Sequence, residues 1–281
     1  MSGTLSALAL TLLPIVAGCS DDDPVVVDTP PFPPDGVFSE TGDGQVTIFW
    51  NPNWEDDLDL YAVYRSVASQ GPYNHLSDVS ANRVCDGYWV CYTDTDVING
   101  ETWYYAVTAI DAAGNESDLS YEDVFDTPRP EGFNLILFDY MGQNRELSGY
   151  DFASLSGTAQ PDTDMTTDVF YGAANGVNYL WTTSRVDIQD YGLIELPFVD
   201  WAPESGWAPS GRVEAIVGHS YIVRIADVPV VHYAKVYVKS VSNAGADPDA
   251  RNVTMDWAYQ PVSVEPHNRE LAPGFGGGAS R

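Results

Sequence analysis

Three cysteines are the residues whose type and spacing most directly indicate chemistry: Cys19, Cys85 and Cys91. The last two lie in the segment RVCDGYWVCY, where Asp86-Gly87 is a turn signal that lets two thiols face each other across a small loop. We therefore predict a disulfide between Cys85 and Cys91, worth about 2–3 kcal/mol of stability. A zinc site needs more ligands nearby, and His75 is the candidate close in sequence.

Cys19 follows a short apolar stretch at residues 5–16. The stretch is too short to span a bilayer, which takes about 20 residues, and is typical of a secretory signal, although no Lys or Arg precedes it. Val16-Ala17-Gly18-Cys19 resembles a bacterial lipobox. The resemblance implies that residues 1–18 are a removed signal peptide and that Cys19 carries a lipid. The alternative is an apolar N-terminus with a cysteine placed by chance.

Residues 19–34 follow as an acidic, proline-rich tether, which we predict to be a stiff, extended spacer. Its start, Ser20-Asp21-Asp22-Asp23, resembles the export signal of surface lipoproteins in bacteria of the Bacteroidetes type. That resemblance implies placement at the outer membrane or cell surface, whereas an acidic run is otherwise an ordinary solvated spacer. We expect an extracytoplasmic protein held at the membrane by its lipid.

Two of the four histidines, His219 and His232, lie near opposite ends of a predicted hairpin. Two histidines can clamp a haem iron, whereas a hairpin histidine is otherwise a surface or hydrogen-bonded residue. The sequence contains no HExxH, no GxSxG, no Gly-rich phosphate loop and no Cys-rich metal spacing. We predict no catalytic residue and no cofactor.

Acidic side chains cluster in several loop-like segments and offer oxygen ligands for Ca²⁺. None of the clusters has the EF-hand pattern, and a chain with 41 acidic residues contains such clusters by chance. We therefore predict no metal site and keep solvated loop charges as the simpler interpretation. The clusters are Glu55-Asp56-Asp57 with Asp59, Asp94 with Asp96, and Asp162, Asp164 and Asp168.

Four tryptophans lie in loop-like contexts rather than in alternating strands: Trp54, Trp89, Trp201 and Trp207. Exposed indoles stack on sugar rings or anchor protein partners, whereas buried ones plug the ends of β-sandwiches. Trp201 and Trp207 bracket the segment APESG, and we take them, with His219 and His232, as candidate ligand-binding residues.

The overall charge restricts the partners. The 281 residues include 41 acidic and 12 basic side chains, for a net charge of −29. Nucleic acid is a poor partner because phosphate binding needs a basic surface, and the same charge opposes docking on anionic lipid. The length is typical of about two domains.

Residues 35–127 are predicted to be all-β. The segments at 45–50, 58–66 and 102–110 alternate apolar and polar residues, and Gly, Pro, Asn and Asp clusters separate them. Trp50, the Tyr61/Tyr64 pair and the Val97–Gly100 turn resemble a fibronectin type III domain of the bacterial secreted kind. The resemblance implies an antiparallel β-sandwich. Trp103 departs from the family, which usually has a tyrosine there whose hydroxyl caps a nearby backbone group.

Residues 128–132 are predicted to be a proline-stiffened linker, 133–265 a second antiparallel β-domain, and 266–281 a disordered tail. The clearest hairpin joins residues 219–226 to 230–241. Its sequence faintly resembles the terminal hairpin of HmuY-like haem-binding lipoproteins, whose axial ligands have no match here.

The sequence thus predicts an all-β, non-catalytic, lipid-anchored module for binding, adhesion or presentation. Its expected partners are the membrane, through the lipid, and a protein or glycan. Two alternatives stay open: a haem- or small-ligand-binding lipoprotein, and a glycan-binding or glycan-active accessory protein.

Overall fold

Two antiparallel β-sandwiches follow one another along the chain. The computed structural model describes residues 28–261, except 86, 123, 200, 228 and 243–246. The regular structure of these residues consists of strands and short 3-10 turns. Among the described residues no helix is long and apolar enough to cross a membrane. The predicted signal peptide, Cys19 and the tail at 266–281 lie outside the described residues.

The first sandwich contains strands β1 to β7. Its sheets have the orders β1-β2-β5 and β4-β3-β6-β7, and all pairings are antiparallel. Strand β5 returns to pair with β2, in the sheet opposite β3 and β4. Two sheets of three and four strands joined in this order have the fibronectin type III topology, so the predicted fold is confirmed. The strands are β1 Phe38–Gly42, β2 Gln45–Trp50, β3 Leu58–Ser66, β4 Asn74–Ser80, β5 Val90–Asp94, β6 Trp103–Asp111 and β7 Val124–Asp126.

Alternation along the strands builds the core of this sandwich. Val46, Ile48 and Trp50 point inward from β2 and are fully buried. The indole of Trp50 meets the ring of Tyr61 edge-on, with the centroids 5.3 Å apart. Edge-to-face packing of this kind is the favoured arrangement for two buried aromatic rings.

Trp103, which departs from the family pattern, is not a capping residue. Its indole N–H is buried and has no hydrogen-bond partner, and its ring instead lies under the guanidinium of Arg65, 4.4 Å from the centroid. Arg65 also pairs with the buried Asp94 at 2.8 Å, and the hydroxyl of Tyr105 donates to the same carboxylate at 3.1 Å. A charged cluster therefore holds this corner in place of a hydroxyl cap.

The described end of the tether is docked rather than free. Pro31 and Pro34 are buried against the first sandwich. The backbone of Phe32 makes two hydrogen bonds: its N–H donates to Glu55 Oε1 at 2.8 Å, and its carbonyl accepts from Asn53 Nδ2 at 2.8 Å. Polar side chains of a distant loop thus satisfy backbone groups that a proline-rich segment leaves unpaired, a contact that the predicted stiff, extended spacer did not include.

The junction between the sandwiches is shorter than predicted. Strand β8 begins at Glu131, within the predicted linker, because Glu131 and Gly132 pair with Ala258 and Trp257. The carbonyl of Pro128 accepts from Gly100 N–H at 2.8 Å, and the carbonyl of Pro130 accepts from Tyr259 N–H at 2.9 Å. Hydrogen bonds to both domains therefore fix the few residues between them.

The second sandwich confirms the predicted second antiparallel β-domain. Its sheets have the orders β13-β11-β10-β9 and β12-β14-β15-β16-β8. Tyr150, Tyr171, Tyr221 and Trp257 are among the side chains buried between them. The strands are β8 Glu131–Phe138, β9 Gly149–Tyr150, β10 Val169–Ala174, β11 Val177–Thr182, β12 Val186–Gly192, β13 Arg212–Glu214, β14 Ser220–Asp227, β15 Val230–Ser242 and β16 Asn252–Tyr259.

Candidate functional site

A cleft at one end of the first sandwich carries three unusually exposed aromatic rings. Trp54 is 89% exposed, Tyr121 80% and Phe32 79%. They surround a cavity of about 580 Å³. We call this site the aromatic cleft; its lining is Phe32, Pro33, Asp35, Pro52, Asn53, Trp54, Glu55 and Tyr121. Soluble proteins rarely gather exposed aromatic side chains in one concave patch unless it binds something.

Two loops and the tether position the rings. Trp54 lies in the loop between β2 and β3, which is fixed where the N–H of Asn53 donates to the buried hydroxyl of Tyr61 at 2.7 Å. Tyr121 lies just before β7, in a segment whose neighbour Glu122 accepts from Gly36 N–H at 2.7 Å. The rings are thus exposed while the backbone that presents them is anchored, which limits the conformational entropy lost on binding.

The cleft is acidic. Asp35 and Glu55 contribute carboxylates, and no Lys, Arg or His is among its lining residues. Partial desolvation opposes ionisation of Glu55, but hydrogen bonds from Phe32, from its own loop backbone and from Asn53 outweigh it and lower the pKa of this carboxyl. The cleft therefore presents negative charge and aromatic faces at neutral pH.

Flat aromatic faces bordered by amide and carboxylate groups can bind sugars. The apolar face of a pyranose stacks on an aromatic ring, and its hydroxyls donate to carboxylate and carbonyl oxygens. The cleft's lining residues include no serine, cysteine or histidine that could act as a nucleophile or its base. Its carboxylates are those of Asp35 and Glu55, which can accept hydrogen bonds from sugar hydroxyls.

The predicted disulfide is confirmed. Cys85 and Cys91 form a disulfide, with their α-carbons 5.8 Å apart. The backbone of Cys85 also forms an isolated antiparallel β-bridge with that of Trp89 across the small loop. Trp89 meets the ring of Phe38 edge-on at 5.0 Å on the outer face of the β1-β2-β5 sheet. This tryptophan is therefore a packing residue of the disulfide-closed loop.

The structure does not bring His219 and His232 together. Ile225 pairs with His232 in the β14–β15 ladder, six residues along from His219, so about 20 Å separates the two positions. Each ring also has its own carboxylate: Asp190 is 3.0 Å from His219 and Asp227 is 3.7 Å from His232. One haem iron cannot bind both, so the haem-clamp interpretation of this pair is wrong.

Trp201 and Trp207 occupy different surroundings in the loop that covers the five-stranded sheet. Trp207 packs against a small buried cluster beneath the loop and has the guanidinium of Arg224 over its ring at 4.6 Å. Trp201 is 52% exposed. Trp207 is thus held by packing, and Trp201 is the ring of the pair that presents a free surface.

The acidic clusters are regrouped by the fold. Asp57 lies beside Asp28 and the buried Asp111 rather than acting with its sequence neighbours. Side-chain and backbone N–H groups of Asn115, with those of the adjacent turn, bond the Asp111 carboxylate and lower its pKa. Three aspartates of the other predicted acidic clusters form ion pairs with arginines: Asp94 with Arg65, Asp162 with Arg145, and Asp168 with Arg185.

Sequence reasoning identified Trp54 as a loop tryptophan but missed Phe32 and Tyr121. Phe32 is the one aromatic residue in the run PPFPP, and Tyr121 stands in the polar turn SYED. An aromatic ring isolated among prolines or acids has no strand face to fill, which is a signal of exposure. Their meeting with Trp54 depends on tertiary contacts that no local pattern encodes.

A segment of this chain is similar to parts of amylopullulanases. It is 38% identical over 94 residues to the amylopullulanase of Thermoanaerobacter thermohydrosulfuricus, which is 34% of this chain and 6% of that protein. It is 32% identical over 106 residues to that of Thermoanaerobacterium saccharolyticum, which is 37% of this chain and 8% of that protein. The match therefore spans less than a tenth of the length of these enzymes. No protein-family model matches the chain.

Solved structures give matches of similar extent. The Fn3-like protein from Clostridium thermocellum is 26% identical, covering 34% of this chain and 92% of that chain, with a TM-score of 0.29. The β-1,2-glucanase from Parabacteroides distasonis is 24% identical, covering 36% of this chain and 13% of that chain, with a TM-score of 0.28. The fibronectin type III fold of the first domain rests on its own strand order.

Proposed function

We propose that this protein is a lipid-anchored, non-catalytic module that binds glycan outside the cytoplasm. The observation that carries the proposal is the aromatic cleft, where Trp54, Tyr121 and Phe32 present their rings around one cavity. Similarity to short segments of amylopullulanases, enzymes named for glucans, supports the same ligand class. The lipid anchor at Cys19 and the surface location come from the lipobox resemblance.

The cleft favours neutral glycans. Asp35 and Glu55 repel anionic sugars, and the net charge of −29 adds a long-range repulsion that increases at low salt. Neutral glucans carry many hydroxyl donors for these carboxylates. We therefore expect pullulan or amylose to bind more tightly than polygalacturonate.

The first test is affinity electrophoresis of the protein through gels that contain pullulan, amylose or polygalacturonate, followed by titration calorimetry. Trp54→Ala should weaken binding to the retained glucan at least about tenfold, because a central aromatic contact is lost. Tyr121→Ala should act in the same direction. Both variants should unfold at the wild-type urea midpoint, since both rings are largely exposed.

Trp201→Ala is the matched control, because it removes another exposed tryptophan from the second domain. It should bind as tightly as the wild type. Loss of binding in this variant with retention in Trp54→Ala would contradict the cleft as the site. Release of reducing ends from any of the polysaccharides would contradict the non-catalytic function.

A further inference from the structure

The tether supplies one wall of the aromatic cleft. Phe32 and Pro33 lie along it, opposite loops that come from elsewhere in the first sandwich. Phe32 is 79% exposed, so its own side chain does not bury enough apolar surface to hold the segment in place. Buried Pro31 and Pro34 pack on either side of it, and Phe32 itself is held by backbone hydrogen bonds to side chains of the β2–β3 loop.

Two side chains form this attachment, which we call the Phe32 clip: Glu55 and Asn53. The carboxylate of Glu55 accepts from the N–H of Phe32, and the amide of Asn53 donates to its carbonyl, each at 2.8 Å. The two bonds fix both the N–H and the carbonyl of Phe32, and the bond to the Glu55 carboxylate is charge-assisted. The oxygen of Glu55 that holds the tether is thus already engaged before a ligand arrives.

We propose that the Phe32 clip couples glycan binding in the aromatic cleft to docking of the tether, with Glu55 and Asn53 as positioning residues. The inference rests on the proposed function of the cleft. With the clip closed, the ring of Phe32 faces the same cavity as Trp54 and Tyr121; with it open, the cleft loses that wall. A glycan that contacts all three rings binds the docked state more tightly and therefore stabilises it.

Coupling of this kind is reciprocal. If docking strengthens glycan binding by a given factor, bound glycan strengthens docking by the same factor. The tether would then become more ordered when the cleft is filled. Because an ionised carboxylate accepts this hydrogen bond more strongly than a neutral carboxyl or amide oxygen does, the negative charge of Glu55 strengthens the link between the ligand and the anchor segment.

The test uses the full chain with pullulan as the probe and two matched charge variants. Glu55→Gln and Asp56→Asn each remove one negative charge from the same loop, but Asp56 is exposed and outside the clip. Glu55→Gln should speed hydrogen exchange of residues 28–36 and weaken pullulan binding about fivefold or more. Asp56→Asn should leave both unchanged. In the wild type, saturating pullulan should slow exchange of the same residues.

Phe32→Ala distinguishes the contribution of the Phe32 ring to glycan binding from that of the Phe32 clip. It keeps the backbone hydrogen bonds to Glu55 and Asn53 and removes the ring, so binding should weaken while exchange of 28–36 in the free protein stays near the wild-type rate. Undiminished pullulan binding by Glu55→Gln, with faster exchange, would overturn the coupling and leave the glycan site intact. Failure of the wild type to bind pullulan or any other neutral glycan would overturn the proposed function and the coupling with it.

Discussion

Two tryptophans four residues apart have opposite roles. Trp50 is completely buried in the first core, whereas Trp54 is 89% exposed in the loop that follows. The difference was readable from sequence, since Trp50 continues an alternating strand and Trp54 follows Asn51-Pro52-Asn53. What the sequence left open was the partner of Trp54, because Phe32 and Tyr121 reach it from distant positions.

Asp168 is a residue whose environment predicts a pH effect on stability. It is 1% exposed, pairs with Arg185 at 2.9 Å and accepts from Phe152 N–H at 3.0 Å. Burial disfavours its charged form and, against these partners, raises the pKa of Asp168 to about 7. The folded state therefore holds this proton more tightly than the unfolded chain, where an aspartic acid titrates near about 3.9.

Stability contributed by this group is fully present below about pH 4 and is lost as the pH rises through about 7. Asp168→Asn should remove that dependence. Between pH 5 and pH 8 the wild type should lose about 2–3 kcal/mol relative to the variant, as measured by urea unfolding. Parallel pH profiles for the two proteins would contradict this assignment.

At the scale of elements, the sequence pattern predicted β2, β3 and β6 of the first sandwich and the β14–β15 hairpin of the second. Segments 45–50 and 58–66 coincide with β2 and β3, and the hairpin of β14 and β15 begins and ends within a residue of its predicted bounds. The tether and the domain junction were less predictable. Their conformations depend on hydrogen bonds to residues far away in the chain, such as Glu55 for Phe32 and Tyr259 for Pro130.

The disulfide-closed loop is the element with the plainest stability prediction. Replacing Cys85 and Cys91 together by serine should lower the free energy of unfolding by about 2 kcal/mol, because the unfolded chain is no longer cross-linked. Trp89 should then show a red-shifted fluorescence component as the loop loosens. Since the aromatic cleft has no member in this loop, pullulan binding should persist at 25 °C. A double variant with wild-type stability would show that the loop is held by its packing on Phe38 alone.

At the scale of the whole molecule, the proposed anchor decides where the cleft can work. Cys19→Ala should move the protein from the membrane fraction to the soluble extracytoplasmic fraction and abolish palmitate labelling. The matched control is Ser20→Ala, which changes the next residue and keeps the cysteine. Equal membrane retention of Cys19→Ala would contradict lipid anchoring.

The docked tether also fixes which end of the first domain is nearest the anchor. Asp35 and the aromatic cleft lie where β1 starts, and Gly42, which accepts a hydrogen bond from Arg129 of the junction, lies where β1 ends. The second sandwich therefore extends from the end opposite the cleft. Thirteen residues lead from Cys19 to Phe32, and a fully extended chain covers at most about 3.6 Å per residue.

If Cys19 carries the proposed lipid, Phe32 stays within about 47 Å of it. In that arrangement a bound glycan would lie close against the membrane, and the second domain would extend away from it.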